Sequence, residues 1–313
     1  MNTPAKLGLY GVGLVAAFGA AFLVAGAVVP ESAVEARAEA TTGGHGGHGE
    51  APAETEAATA SLPGLSLAEG GYQLGPVSAP HELGEEGELS FSILDEHGEA
   101  VTEFTEEHEK DLHLIVVRND GAEFRHVHPT LDAEGTWSLP WSWSEAGTYR
   151  VFADFIPAES GEKLTLTRSL NIGGDFEPAH GHDDVRTAKA GEFDVELQGD
   201  LFVGGGSTLT LEVTRDGEQV TELQPYLGAF GHLVALREGD LAYLHVHPEG
   251  EEPKPGDLSG PTVDFATEAP TAGRYLLYFD FQVGDEVYSA PFALTTAEGD
   301  APAGGHDDGE DSH

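Results

Sequence analysis

From residue 62 onward the chain is built of short runs in which apolar and polar residues alternate. ELSFSIL (88–94), DLHLIVV (111–117), FRHVH (124–128), WSLPWSW (137–143), TYRVFADF (148–155) and LTLTRSLNI (164–172) are separated by EHGE, NDGA, DAEG, EAG and ESGE. Period-two alternation bounded by Gly, Asn and Asp predicts short β-strands joined by tight turns. The same style returns in FDVELQG, STLTLEV, GHLVALR, AYLHVH, RYLLYFDF and YSAPFALT, between residues 193 and 295. The expected fold class is therefore all-β, with two tandem immunoglobulin-like antiparallel β-sandwich domains at 62–172 and 191–296. GGDFEPAHGHDDVRTAKA (173–190) breaks the pattern and reads as a linker. Residues 31–61 and 297–313 are poor in large apolar residues and read as a disordered His-containing tether and a disordered acidic tail.

A different pattern stands at the front. Residues 7–29 form 23 consecutive residues without a charge, enough for a helix to cross a bilayer. Lys6 precedes this run and Glu31, Glu35 and Glu39 follow it. The positive-inside rule then directs the rest of the chain out of the cytoplasm. Residues 1–30 are read as a transmembrane signal-anchor, whose length favours retention. Small residues around Arg37 leave open a cleaved signal and a secreted product.

The two β regions are copies. Aligning VTEF (101–104) on VTEL (220–223) needs no gap through Pro129 and Pro248, and 10 of these 29 positions are identical. EAGTYRVFADF (145–155) then matches TAGRYLLYFDF (271–281) after a longer loop. What the duplication keeps is an H-x12-H-x-H pattern: His113, His126 and His128 in the first copy, His232, His245 and His247 in the second. The other histidines do not superpose; His108, for one, aligns with Leu227.

Hairpin geometry gives the spacing a meaning. With Asp120-Gly121 at the turn, opposed residues sum to 241, so His113 faces His128 and Ile115 faces His126. With Gly239-Asp240 the sum is 479, and His232 faces His247. Residues two apart share a sheet face and opposed Cβ atoms are about 5 Å apart, so three imidazoles converge near one hairpin end. Convergent imidazoles suit a divalent ion, Cu(II) before Zn(II). Asp154 and Asp280, matched acids in otherwise apolar strands, are candidates for a fourth ligand or for holding an imidazole N–H. The same face also carries Ile115, Val117 and Phe124, and in the second copy Val234, Leu236 and Tyr243. Buried, neutral, structural histidines are therefore the competing reading.

Composition narrows the chemistry. There is no Cys and the only Met is Met1, which removes disulfides, thiolate ligation, blue-copper centres and Met-held Cu(I). Lys and Arg total 14 against 56 acids, a net charge of −42, which excludes nucleic acid as a partner and suits cation retention or plain solubility. His45, His48, His180, His182, His306 and His313 lie in Gly- and Asp-rich segments that collect metal loosely or not at all. Trp137, Trp141 and Trp143 alternate as a sugar platform would, but core packing is the simpler expectation. No G-x-S-x-G, H-E-x-x-H or P-loop context is present, so no catalytic residue is assigned and an enzyme ranks last.

DLHLIVVRNDGAEFRHVHP, AGTYRVFADF and GHLVALREGDLAYLHVHP resemble extracytoplasmic, actinobacterial-type proteins described as heavy-metal-binding or YtkA-like. The resemblance implies small β-sandwiches of the copper-resistance type outside the membrane. It also implies metal ligation by the HVHP histidines and their upstream partners. The expected function is a membrane-anchored, extracytoplasmic metal-binding protein that sequesters or transfers Cu(II) or Zn(II), with a metal transporter or chaperone as its exchange partner. The alternative is a tandem β-sandwich interaction module without metal.

Overall fold

The computed structural model describes residues 62–179, 181, 183–244, 246–254 and 256–297. The segment expected to be an anchor, the tether and the tail lie outside them, as do His180, His182 and His245. Among the described residues no helix is long and apolar enough to cross a membrane.

The described residues form an all-β structure. The first repeat contributes β1 (Ala68–Glu69), β2 (Tyr72–Leu74), β3 (Gly87–Phe91), β4 (Ile93–Leu94) and β5 (Leu112–Arg118). It continues with β6 (Arg125–Val127), β7 (Thr130–Leu131), β8 (Trp137–Trp141), β9 (Gly147–Phe155) and β10 (Leu164–Ile172). The second contributes β11 (Thr187–Ala190), β12 (Phe193–Gln198), β13 (Ser207–Arg215), β14 (Glu218–Gln219) and β15 (His232–Arg237). After these come β16 (Tyr243–Leu244), β17 (Val246–Pro248), β18 (Thr262–Thr267), β19 (Arg274–Val283) and β20 (Glu286–Thr295). All ladders are antiparallel, in sheets ordered β1-β2-β4, β3-β8-β7, β10-β9-β5-β6, β11-β12-β13-β18-β17 and β16-β15-β19-β20. β11 falls inside the stretch expected as linker. TAKA carries only small apolar residues, so its pairing with β12 left little trace in the sequence.

Each repeat has its own core. Leu114 and Val116 of β5 meet Leu89, Trp137, Trp141 and Trp143 in the first, and the three tryptophans are packing residues. Leu233 and Ala235 of β15 meet Phe193, Leu211 and Phe265 in the second.

β5 is buried along its whole length, on both faces. Its other face builds a third apolar cluster shared by the repeats: Ile115, Val117 and Phe152 from the first with Val234, Leu236, Leu276 and Tyr278 from the second. Phe124 stacks on Tyr278 at 3.9 Å between ring centroids, and the sequence-equivalent pair, Tyr243 and Phe152, lies 6.3 Å apart. The repeats thus meet through equivalent surfaces about an approximate two-fold axis. Gly121 (φ 86°) sits where a Cβ would lie 2.6 Å from Leu276, and the Tyr278 hydroxyl donates to its carbonyl at 2.7 Å. Only glycine meets both the left-handed backbone and the close approach.

Candidate functional site

The His-bearing hairpins lie at this inter-repeat contact. The first has the expected register: Leu114 opposes Val127 and Ile115 opposes His126, both summing to 241. Asp120 fixes the turn by accepting from Arg118 Nε at 2.8 Å and from the Ala122 N–H at 3.3 Å. Pro129, without an N–H, follows β6, and the chain crosses to the other sheet as β7. The register carries His113, His126 and His128 together, their ligand-type nitrogens all within 4.8 Å of one another.

His113 Nδ1 is 3.1 Å from both His126 Nε2 and His128 Nε2. The outer partners fix two tautomers. A carbonyl only accepts, so His113 donates Nε2–H to Glu107 C=O at 3.1 Å. Asp280 is a carboxylate, so His126 donates Nδ1–H to its Oδ2 at 2.9 Å. His113 Nδ1 and His126 Nε2 are then left with lone pairs facing each other. Lone pairs in contact repel unless a cation stands between them, either a proton shared with an imidazolium or a metal ion. Two nitrogens on one tetrahedral ion are about 3.3 Å apart, so the trio needs little movement to share one. Imidazoles whose second N–H is held by a carbonyl or carboxylate are the usual arrangement of metal-bound histidine.

Burial, followed by the neighbouring His126 ring, holds His113 far below the ordinary histidine range, at about 2. The same two causes, with the Lys110 charge, bring His128 to about 3. Burial and His126 bring His232 to about 4. These rings are neutral at physiological pH, the form in which imidazole binds metal.

The second copy keeps the register but not the arrangement. Ala235 opposes Leu244 and Leu236 opposes Tyr243, both summing to 479. The strand then leaves the sheet, and β17 pairs with β18 instead, Val246 opposite Thr267 and His247 opposite Ala266. His247 is exposed, while His232 is buried and donates Nε2–H to Tyr226 C=O at 2.8 Å. Among the described residues the trio of the first copy is the only group of three such ligands. The sheet switch comes earlier in the second copy, where Val246, the equivalent of Val127, already pairs with β18, and nothing in HVHP marks it.

Asp154 and Asp280 lie beside the upstream histidines, Asp154 opposite His113 and Asp280 opposite His232. Their partners differ. Asp154 accepts from Thr165 Oγ1 at 2.7 Å and pairs with Lys163 Nζ at 3.3 Å, and burial raises its pKa. Asp280 turns across the contact to His126, and both side chains are only 5% exposed. The candidate centre is therefore composite, with ligands from one repeat and the carboxylate that orients one of them from the other. In sequence each aspartate belongs with its own repeat, and His108 has no counterpart in the second copy. His108 lies 5.3 Å from His232 and 6.2 Å from His113 between ring centroids. Its failure to align between the copies was the available signal.

No curated protein matches the chain. Solved structures similar to it include the adhesin InvE of Yersinia pseudotuberculosis, at 11% identity over 74% of this chain and 60% of that one, with a TM-score of 0.23. They also include a Salmonella alpha-2-macroglobulin (16% identity, 76% and 15% of the two chains, TM-score 0.24). A third is invasin, a bacterial integrin-binding protein (14%, 72% and 39%, TM-score 0.21). The chain spans less than two thirds of each, and likenesses this distant carry no argument about function. One family matches both repeats, over residues 68–172 and 187–298, and the chain belongs to it: the domain of unknown function DUF8832, present here in two copies.

Proposed function

We propose that the protein is an extracytoplasmic metal-binding protein that holds one divalent transition ion at His113, His126 and His128, for sequestration or transfer. Cu(II) is favoured over Zn(II), because an all-imidazole set follows the general affinity order. The observation that carries the reading is the 3.1 Å contact of His113 Nδ1 with His126 Nε2, while the other nitrogen of each ring meets Glu107 C=O or Asp280 Oδ2. Immunoglobulin-like sandwiches, tethered by residues 1–30 or released from them, are the architecture that goes with it. Its partners are the ion, the membrane and a transporter or chaperone that exchanges the ion. The role is binding, not catalysis.

Equilibrium dialysis of the full chain against Cu(II) and Zn(II) tests this, beside a His126→Asn/His128→Asn variant. The variant is expected to hold one ion fewer per chain. Equal uptake by the two proteins refutes the proposal.

The second reading is an interaction module with structural histidines. It is favoured by one observation: His113 and His232 both spend their Nε2–H on a backbone carbonyl beside the apolar contact between repeats. Under this reading the double variant loses stability and no ion.

A further inference from the structure

The approximate two-fold axis brings each repeat's short turn over the other repeat's histidines. In the second repeat Tyr226 and Ala229 close a turn through mutual backbone bonds of 2.8 and 3.3 Å. Its central residues, Leu227 (φ 54°) and Gly228 (φ 74°), are both left-handed, and Tyr226 lies against His128, 6.3 Å between ring centroids. In the first repeat Glu107 and Lys110 close the same turn at 2.9 and 3.1 Å. There the central residues are His108 (φ 49°) and Glu109 (φ 61°). Two consecutive left-handed residues favour Asn and Gly, so His-Glu is held at a cost. That cost places an exposed imidazole against buried His232.

We propose that His108 and His232 form a second, outer cation position beside the trio, for the same class of divalent transition ion. Two imidazoles on one tetrahedral ion have ring centroids about 5 Å apart, and these two are separated by 5.3 Å. His232 gives its Nε2–H to Tyr226 C=O, as His113 does to Glu107 C=O, so in both the free lone pair is on Nδ1. The two rings border a cavity of about 50 Å³ shared with His113, His126, Asp154 and Lys163. Lys163 does not bar a cation there, because its charge is matched by Glu107 at 2.6 Å and Asp154 at 3.3 Å. Exposed on one side and adjoining the trio on the other, the position is where an arriving ion is first met.

The proposal shares its ion class with the proposed function, and one experiment separates their failures. The full chain is titrated with Cu(II) and followed by electron paramagnetic resonance, beside a His108→Leu variant carrying the second copy's residue. Because His108 is exposed, the substitution leaves the fold intact. The expected result is an isolated imidazole-ligated Cu(II) at one equivalent and a spin-coupled pair at two. The coupling should vanish in His108→Leu while the one-equivalent spectrum remains. Coupling that arises elsewhere in the chain survives His108→Leu. An isolated spectrum that never couples, or coupling that survives His108→Leu, overturns the outer position and leaves the trio standing. Failure to give an imidazole-ligated spectrum at one equivalent overturns both.

Discussion

Asp280→Asn isolates the contribution the second repeat makes to the trio. The substitution keeps the shape of the side chain and an oxygen able to accept from His126 Nδ1–H, but removes a charge buried to 5% exposure. The carboxylate oxygen is 2.9 Å from Nδ1, which puts it about 7 Å from an ion on Nε2 of the same ring. At an effective dielectric constant of 20, unit negative charge and a divalent ion at that separation interact by about 5 kcal/mol. Only part of this is lost in the variant, because the Asn oxygen still accepts from Nδ1–H. Losses of 10–100-fold on removing such an outer partner, about 1.4–2.7 kcal/mol, are the reasonable expectation. The assay is competition for Cu(II) or Zn(II) against a chromophoric chelator at neutral pH. Asp154→Asn serves as control: Asp154 is bonded to Thr165 and Lys163, so the trio should keep its affinity within about two-fold. Unchanged affinity in Asp280→Asn, or an equal loss in both variants, refutes a centre assembled across the repeats.

Two further outcomes follow from the same geometry. His113 and His232 have folded pKa values far below the ordinary histidine value of about 6.5, so the unfolded chain takes up protons first as pH falls. Their stability contribution is complete above about pH 6.5 and is lost below it, each by up to about 1.4 kcal/mol per pH unit. With His128 depressed in the same way, denaturant unfolding of the metal-free protein between about pH 6 and 5 should show the summed slope of the three rings, smaller by about a third in His232→Gln; equal slopes refute it. Glu109→Gly should relieve the left-handed strain at φ 61° and raise stability by about 1 kcal/mol, or about 2–4 °C in Tm. A lower Tm would mean that the Glu109 side chain makes contacts worth more than the strain.

The sequence carried more of the hairpins than of the way they are used. Both register sums were legible, because Asp120-Gly121 and Gly239-Asp240 pin the turns and alternation pins the faces. Apolar residues on the histidine face were visible too, as Ile115, Val117, Val234 and Leu236. A single repeat gives them nothing to pack on, so they read only as a hint of buried histidine. The structure supplies the missing surface, the other repeat. Three features were not legible. The early sheet switch that exposes His247 depends on a pairing of β17 with β18 across a long loop. The turn of Asp280 away from its register neighbour His232 toward His126 depends on how the repeats dock. His108 has no repeat counterpart to mark it, although its departure from Leu227 is what gives the turn an imidazole.

The equivalent surfaces through which the repeats meet constrain how such a centre can arise. A single copy bearing Ile115, Val117, Phe124 and Phe152 on an open sheet face would meet a second copy of itself in the same way, as an isologous homodimer. In a homodimer every substitution is made twice, so a residue that improves the ligand on one side must also serve as the cover on the other. Joining the copies in one chain removes that coupling. One half can carry three converging imidazoles and His108, while the other carries Leu227 and Gly228 and lends its aspartate. The tandem is in this sense a dimer released from its own symmetry, and its asymmetry is where its chemistry lies.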